Sequence, residues 1–157
     1  CGLRYLGKSI NDSRRPYPSA GGRYPLEIYP VILNCKGIKN GLYHYNVREN
    51  SLEVLLEQNL RNWLGIAFGK EEWLKNAAVL FIITGVLGRT HTKYGDRGYR
   101  YMLIEAGHLV QNLCLLATEL GLGVCPIGGF IDDKVNELLD IQLQKELSLY
   151  VVAIGKL

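Results

Sequence analysis

A long apolar stretch over residues 99–130 constrains the fold of this chain more than any other feature. Its first part has apolar residues three and four positions apart, on two stripes that leave little helix surface for water. The first stripe is Met102, Ala106, Leu109, Leu113, Leu116 and Leu120, and the second is Leu103, Val110, Cys114 and Ala117. The spacing predicts a central helix over residues 99–120, buried around most of its circumference and ending in a left-handed cap at Gly121.

The polar residues of this helix fall on one line, because Tyr101, Glu105, His108 and Asn112 are four, three and four positions apart. We expect Glu105 to hydrogen-bond in the interior or at a subunit contact. We expect His108 to be an interior histidine with its hydrogen bonds satisfied. After the helix, apolar residues lead like a strand into a bend with two glycines, where backbone can approach a ligand closely.

Length and composition indicate one ordinary globular domain. The 157 residues are 48% hydrophobic and 21% charged, and the net charge of +3 comes without any basic run, so nothing points to nucleic acid. The four cysteines are far apart and predict no metal site. Cys35, Cys114 and Cys125 lie in apolar runs and are expected to be buried free thiols, which favours a cytoplasmic location. No signal peptide or transmembrane helix is predicted.

Three strands are predicted in the first third of the chain, over residues 26–35, 42–45 and 52–56, as an antiparallel meander. Pro30 lies inside the first of them and lacks a backbone N–H. We therefore expect that strand to lie at the edge of the sheet or to be bulged at the proline.

The remaining elements follow from periodicity and from helix-end signals. Helical spacing covers residues 59–68, a short helix is expected at 71–76, and the apolar run 77–85 predicts a strand buried on both faces. Residues 87–98 are expected to be a loop or a short helix. A helix over 132–139, capped by Asp132 or Asp133, and a last strand over 147–154 complete an α+β fold in a single domain, residues 1–157.

Two glycine-containing segments could bind a ligand through their backbone. In the first, Pro18 to Gly22, small residues with exposed amides could cradle a polar ring or a phosphate, or could form an ordinary turn. In the second, Pro126 to Phe130, backbone amides could face a planar cofactor, or the segment could be a packing turn.

A third segment, His91 to Gly98, concentrates Lys93, Tyr94, Asp96 and Arg97 between a buried strand and a buried helix. A lysine beside a tyrosine can supply a general base. The simpler alternative is a solvated loop without a chemical role.

Taken in order, these motifs resemble the SagB/ThcOx branch of the nitroreductase superfamily. The resemblance is carried by PYPSAGGRYPLEIYPV, by GLYHYN with SLEVL, and by KYGDRGYRYMLIEAGHLVQNLCLLATELGLGVCPIGGF. Members of that branch are FMN-dependent dehydrogenases, and the best studied oxidise thiazoline and oxazoline rings in ribosomally made peptides. The resemblance covers nearly the whole chain and implies a nitroreductase-like fold, with a central, mostly antiparallel sheet flanked by helices.

The resemblance also implies roles for particular residues. The flavin would be contacted by Ser19, Ala20 and Gly21 in the first loop and by Pro126, Ile127, Gly128 and Gly129 in the second. Lys93 and Tyr94 would handle the proton that leaves the substrate. The long helix would form the core of a homodimer with two flavins at its interface.

The chain departs from the family pattern at both ends. No helix with an Arg and Ser cluster for the FMN phosphate precedes Cys1, so we expect the domain to lack the usual N-terminal helix. After the last strand, Lys156 is the candidate phosphate ligand. The expected substrate is a modified peptide or, if the protein is an NAD(P)H-dependent nitroreductase or quinone reductase, a small aromatic or quinone. A non-catalytic dimerisation remnant of the same fold is the remaining alternative.

Overall fold

The computed structural model describes residues 14–69 and 72–156, so the expectation about an N-terminal helix lies outside the described part. The strands are β1 (Leu26–Ile32), β2 (Gly41–Asn46), β3 (Ser51–Leu56), β4 (Val79–Val86), β5 (Leu122–Ile127) and β6 (Glu146–Lys156). The helices are α1 (Arg61–Phe68), α2 (Leu87–Tyr94), α3 (Arg97–Glu119) and α4 (Asp132–Leu139). Short 3-10 turns cover Ala20–Gly22 and Glu72–Asn76.

The strands form one antiparallel sheet in the order β3-β2-β1-β4-β6-β5. The meander at the start of the chain, the central strand β4 and the α+β class are confirmed. The strand-like exit from the long helix is a strand, β5, and it forms the edge of the sheet beside β6. In the described residues, no helix is long and apolar enough to cross a membrane.

The edge position expected for the strand with Pro30 is wrong. Strand β1 lies between β2 and β4, and Pro30 is opposite Phe81 in the ladder with β4. The ladder with β2, however, joins only Val31 and Ile32 of β1. The flank of β1 that precedes them is unpaired on the β2 side, which accommodates a residue without an N–H.

Helices cover both faces of the sheet, because successive residues of β4 point to opposite sides. Ile82 belongs to the core under α1 and α4, together with Leu64 and Val135. Ile83 belongs to the core under α3, together with Leu109. The expectation that β4 is buried on both faces is therefore confirmed, and the second core holds α3 against the sheet at the site described below.

The two apolar stripes predicted that the long helix α3 is buried around most of its circumference. Within one chain, part of its apolar surface is exposed. Its exposed aliphatic side chains include Leu103 at 45%, Ile104 at 49% and Leu115 at 60% of full exposure, and Leu120 just after its end is 72% exposed. The opposite side packs on the sheet through Met102, Ala106, Leu109 and Leu113. Large apolar patches of this kind mark interaction surfaces.

The cap predicted for α4 is wrong, since Ile131 is the N-cap residue and makes no side-chain capping bond. The Ile131 N–H donates to the Ala67 carbonyl oxygen at 2.8 Å, which ties this start to the end of α1. Asp132 and Asp133 form the first turn instead, where their carboxylates still favour the positive end of the helix dipole.

Two expectations about burial are also wrong. Cys125 is exposed, because it lies on the edge strand β5, and Cys35 and Cys114 are only half-buried, although all three are free thiols. Cys1 lies outside the described residues. His108 is exposed on α3, next to the exposed Gly107, although Glu105 of the same polar line is buried.

Candidate functional site

The two glycine-containing loops lie at the same end of the sheet. Strand β1 begins just after the first loop, and β5, which runs in the opposite direction, ends just before the second. Across the sheet, Ile127 of β5 is opposite Val151 of β6, Val151 is opposite Ile82 of β4, and Ile82 is opposite Tyr29 of β1. Three strand spacings separate the ends of this row, which corresponds to about 14 Å.

The first loop lies directly against Lys93 and Tyr94. Gly21 has a φ of 60°, and a Cβ at this position would be 2.6 Å from Tyr94 Oη and 2.9 Å from Lys93 Nζ. A larger residue here would have a strained backbone, and its Cβ would push the ends of the Tyr94 and Lys93 side chains aside. The structure brings together two of the three segments that the sequence singled out, although they are far apart in the chain.

Lys93 and Tyr94 end a helix, α2, and do not lie in a loop. Gly95, with a φ of 55°, terminates it. The Lys93 Nζ lies 5.4 Å from the centre of the Tyr94 ring, and that ring meets Tyr101 of α3 edge-on with centroids 4.9 Å apart. The exposed amine and the half-buried phenol are thus held side by side above Gly21.

Residues of the polar line on α3 contact the first loop and its surroundings at several points. Near its middle, Asn112 Nδ2 donates to the Pro16 carbonyl oxygen at 3.1 Å. Towards the start of the helix, Glu105 lies near Ser19, and Tyr101 contacts Tyr94. The line that the sequence revealed is therefore the side of α3 that faces the candidate site.

Glu105 is the site residue that the sequence analysis undervalued. Its side chain is 1% exposed, and neither carboxylate oxygen has a hydrogen-bond partner among the described residues, so the expected interior hydrogen bond is not found. Burial raises the pKa of Glu105 to about 7, although the Ser19 hydroxyl and the charge of Arg15 act in the opposite direction. The only sequence signal was a carboxylate on an otherwise buried helix face.

Hydrogen bonds fix both ends of the first loop. Ser19 Oγ accepts from the Tyr24 backbone N–H at 2.8 Å. Arg15 donates to Tyr17 Oη at 2.9 Å and to the Leu26 carbonyl oxygen at 2.8 Å, and its guanidinium lies over the Tyr24 ring. Burial raises the pKa of Tyr17 to about 12, against the lowering effect of Arg15, so this tyrosine remains neutral.

The second loop offers an open surface without side chains. Gly128 and Gly129 are exposed, and a Cβ on either would meet nothing within 4 Å. Next to them Ile127 packs into the core, and the Phe130 ring lies 6.2 Å from that of Phe68, which anchors the bend. A planar group has room to lie against this backbone, so the residues present fit the ring of a flavin.

Lys156 is not brought to either loop within one chain. It is opposite Leu122 at the far end of β6, whereas the second loop follows Ile127, which is opposite Val151. Five residues of strand separate Val151 from Lys156, or about 17 Å. The assignment of Lys156 to the cofactor phosphate stays a prediction.

Comparison with known proteins identifies the class to which this fold and these loops belong, the oxidoreductases of the nitroreductase type. A family model described as "Nitroreductase family" matches residues 7–156, and the chain belongs to this family.

Two curated relatives refine the position within the family. The chain is 37% identical over 156 residues to MJ1384 of Methanocaldococcus jannaschii, named as a nitroreductase, and covers 77% of that protein. It is 29% identical over 147 residues to the microcin B17-processing protein McbC of Escherichia coli, of which it spans 54%. The second relative confirms the resemblance to the peptide-processing SagB/ThcOx branch.

Solved structures agree with this position. A nitroreductase from Anabaena variabilis matches 97% of this chain with a TM-score of 0.87 and 33% identity, and the chain spans 31% of it. The Escherichia coli microcin synthetase McbBCD complex with truncated pro-MccB17 bound matches 99% of this chain, and 62% of the matched chain, with a TM-score of 0.82 and 28% identity. A nitroreductase in complex with FMN from Exiguobacterium sibiricum shares the fold, with a TM-score of 0.60 over 89% of this chain and 71% of that one, at 15% identity.

Proposed function

We propose that this protein is an FMN-dependent dehydrogenase that oxidises thiazoline or oxazoline rings in a ribosomally made peptide. The observation that carries the proposal is the contact of Lys93 and Tyr94 with Gly21 of the first loop. A proton-handling pair lies where a ring bound by that loop would meet its substrate. The similarity to McbC, a microcin-processing protein, supports a peptide as substrate.

The residues that would hold the cofactor are those with accessible backbone. Ser19, Ala20 and Gly21 would contact one part of the flavin, and Gly128 and Gly129 would donate backbone N–H groups to the ring. When bound, FMN supplies the oxidising chemistry by accepting a hydride. The buried carboxyl of Glu105 would lie behind the first loop, next to Ser19.

The role proposed for Lys93 and Tyr94 is removal of the proton next to a carbonyl group of the substrate. Lys93 is exposed, so its amine can approach that carbon, while the Tyr94 ring packs edge-on against Tyr101 and its hydroxyl can orient the amine or pass the proton on. A general base of this kind contributes about 10²- to 10⁴-fold in rate.

A second copy of the chain would complete the site. The apolar face of α3, with Ile104 and Leu115 exposed, is the surface on which we place the homodimer. The strand residues Tyr29 and Ile127, which follow the first loop and precede the second, are three strand spacings apart, or about 14 Å. A flavin at the interface would use the first loop of one protomer and the second loop of its partner. We also retain a cytoplasmic location as a proposal, supported by the free thiols of Cys35, Cys114 and Cys125.

The test compares Lys93→Ala and Tyr94→Phe with the unchanged protein. We expect both variants to keep FMN and the dimer and to lose about 10²-fold or more in turnover of an azoline-containing peptide. Lys36→Ala, an exposed lysine before β2, is the control and should behave like the unchanged protein. Normal turnover in both site variants would make the pair structural, and loss of flavin together with activity would make it a cofactor ligand.

One observation favours a second candidate, an NAD(P)H-dependent nitroreductase or quinone reductase. The relative named as a nitroreductase is the more similar of the two curated proteins, at 37% identity over 98% of this chain. Anaerobic mixing with NADPH separates the two activities, because a reductase bleaches its flavin absorbance within turnover time and the dehydrogenase does not. A colourless protein that refuses FMN would instead favour a dimerisation module without catalysis.

A further inference from the structure

A second concave site lies beside the first loop. This cavity has a volume of about 420 Å³, and Gly22 is at its rim. Among the described residues, four arginines from three segments line it, namely Arg15 and Arg23 before β1, Arg48 between β2 and β3, and Arg89 in α2. The remaining ionisable residues of its wall are Glu27 and His44, with Tyr24 beside them. The roles considered so far use none of these side chains except Arg15.

Two of the four arginines are engaged inside the protein. Arg89 pairs with Glu27 at 2.5 Å and donates to the Tyr24 carbonyl oxygen at 3.1 Å. Arg15 donates to Tyr17 and to the Leu26 carbonyl oxygen, as described above. These two guanidiniums are held in place and build a fixed positive wall.

The other two arginines have uncommitted guanidiniums. Among the described residues, nothing accepts a hydrogen bond from the side chain of Arg23 or Arg48. Arg23 follows the 3-10 turn of the first loop, and Arg48 lies in the turn between β2 and β3. Both are exposed, so they are free to reach a ligand in the cavity.

The negative charge in the cavity wall is already paired with positive groups of the same wall. Among the described lining residues, Glu27 is the one carboxylate, and it is shared by Arg89 and by His44 Nε2 at 2.9 Å. His44 Nδ1 also contacts Glu53, at 2.9 Å. Burial alone would lower the pKa of His44, but its hydrogen bonds with Glu53 and Glu27 raise it. The cavity therefore keeps an excess of positive charge, which attracts anions.

We propose that this cavity is a binding site for the phosphate group of a ligand that extends from the first loop. Guanidinium groups form charge-assisted, often bidentate hydrogen bonds with phosphate oxygens. A planar carboxylate is satisfied by one bidentate guanidinium, whereas a tetrahedral phosphate presents oxygens in several directions. Arginines from separate segments around one cavity therefore fit a phosphate better than a carboxylate.

The experiment measures binding of inorganic pyrophosphate by calorimetry, with no flavin or substrate present. The unchanged full chain should bind it, and Arg23→Gln/Arg48→Gln should weaken the affinity about 10-fold or more, since two charge-assisted hydrogen-bond donors are lost. Lys36→Gln/Lys145→Gln removes the same charge from exposed positions outside the cavity and should retain the affinity of the unchanged chain. The failure of this test would leave the proposed oxidoreductase activity untouched, because the readout does not depend on it.

A comparison of FMN with riboflavin then identifies the source of the phosphate. If the cavity holds the FMN phosphate, the arginine variant loses affinity for FMN but not for riboflavin. If it holds the phosphate of another ligand, both flavins bind the variant normally while pyrophosphate binding is lost. The proposal is overturned if pyrophosphate fails to bind the unchanged chain, or if it binds the arginine variant and the lysine control equally well.

Discussion

At Glu105, burial of the side chain most directly opposes ionisation of its carboxyl group. A carboxylate without a partner is costly inside a protein, and the chain avoids this cost by holding the proton. The pKa of about 7, raised from 4.5, means that the folded chain binds this proton more tightly than the unfolded chain does. The resulting stabilisation is complete below about pH 4.5 and is lost as the pH rises through about 7.

Glu105→Gln should remove this pH dependence, because an amide does not ionise. For the unchanged protein, the Glu105 contribution to the free energy of unfolding should fall by about 2–3 kcal/mol between pH 5 and pH 8. Urea unfolding at the two pH values measures it, with Glu119→Gln, an exposed glutamate of the same helix, as control. An equal pH dependence in Glu105→Gln and the control would show that Glu105 is ionised, and hence partnered, in the folded state.

Gly21 and Gly22 provide a matched pair of substitutions in the first loop. Both have positive φ, of 60° and 64°, so alanine at either position costs about 1–2 kcal/mol of stability through backbone strain. Only at Gly21 would the new Cβ also collide with Tyr94 and Lys93, whereas at Gly22 it would meet nothing within 4 Å.

At the scale of elements, we therefore expect Gly21→Ala to separate the first loop from α2. This variant should lose turnover by about 10-fold or more, since misplacing a catalytic group by an ångström is enough for such losses. Gly22→Ala should lose similar stability but little activity. Thermal unfolding and turnover measured side by side provide the test, and equal activity losses in the two variants would argue that strain, and not the contact with Lys93 and Tyr94, matters.

The elements that could be predicted from the sequence are those fixed by local pattern. The periodicity of α3, the glycine that ends it and the apolar run of β4 each reflect physical constraints within one segment. The position of β1 inside the sheet could not be predicted, because it depends on β4, a strand distant in sequence, pairing with the edge of β1 that β2 leaves open. The contact of Gly21 with Tyr94 likewise depends on the packing of α2 on α3. The two motifs could therefore be recognised in the sequence, but their contact in the fold could not be predicted.

At the scale of the whole molecule, the exposed face of α3 predicts self-association. Obligate interfaces resemble a core cut in half, typically above ~2,000 Å². Leu113 is a poor probe of this face, because it is 7% exposed and faces the core of its own chain. Ile104 and Leu115 point away from that core and test the interface without disturbing the fold.

Ile104→Glu/Leu115→Glu should convert the dimer to a folded monomer, since burying two unpaired carboxylates is strongly unfavourable. Light scattering should change from about twice the chain mass of 17.6 kDa to that mass, with unchanged circular dichroism. Leu143→Glu, at an exposed leucine away from α3, is the control and should remain dimeric. An unchanged protein that is already monomeric at micromolar concentration would contradict the proposed interface.

The presence of bound flavin tests the central proposal most directly. The purified full-length protein is denatured, and the supernatant is examined for the visible absorbance of released flavin and for its identity as FMN. The proposed function predicts stoichiometric FMN, or stoichiometric uptake when FMN is added to the folded dimer. A full-length protein that releases no flavin and takes up none would contradict it.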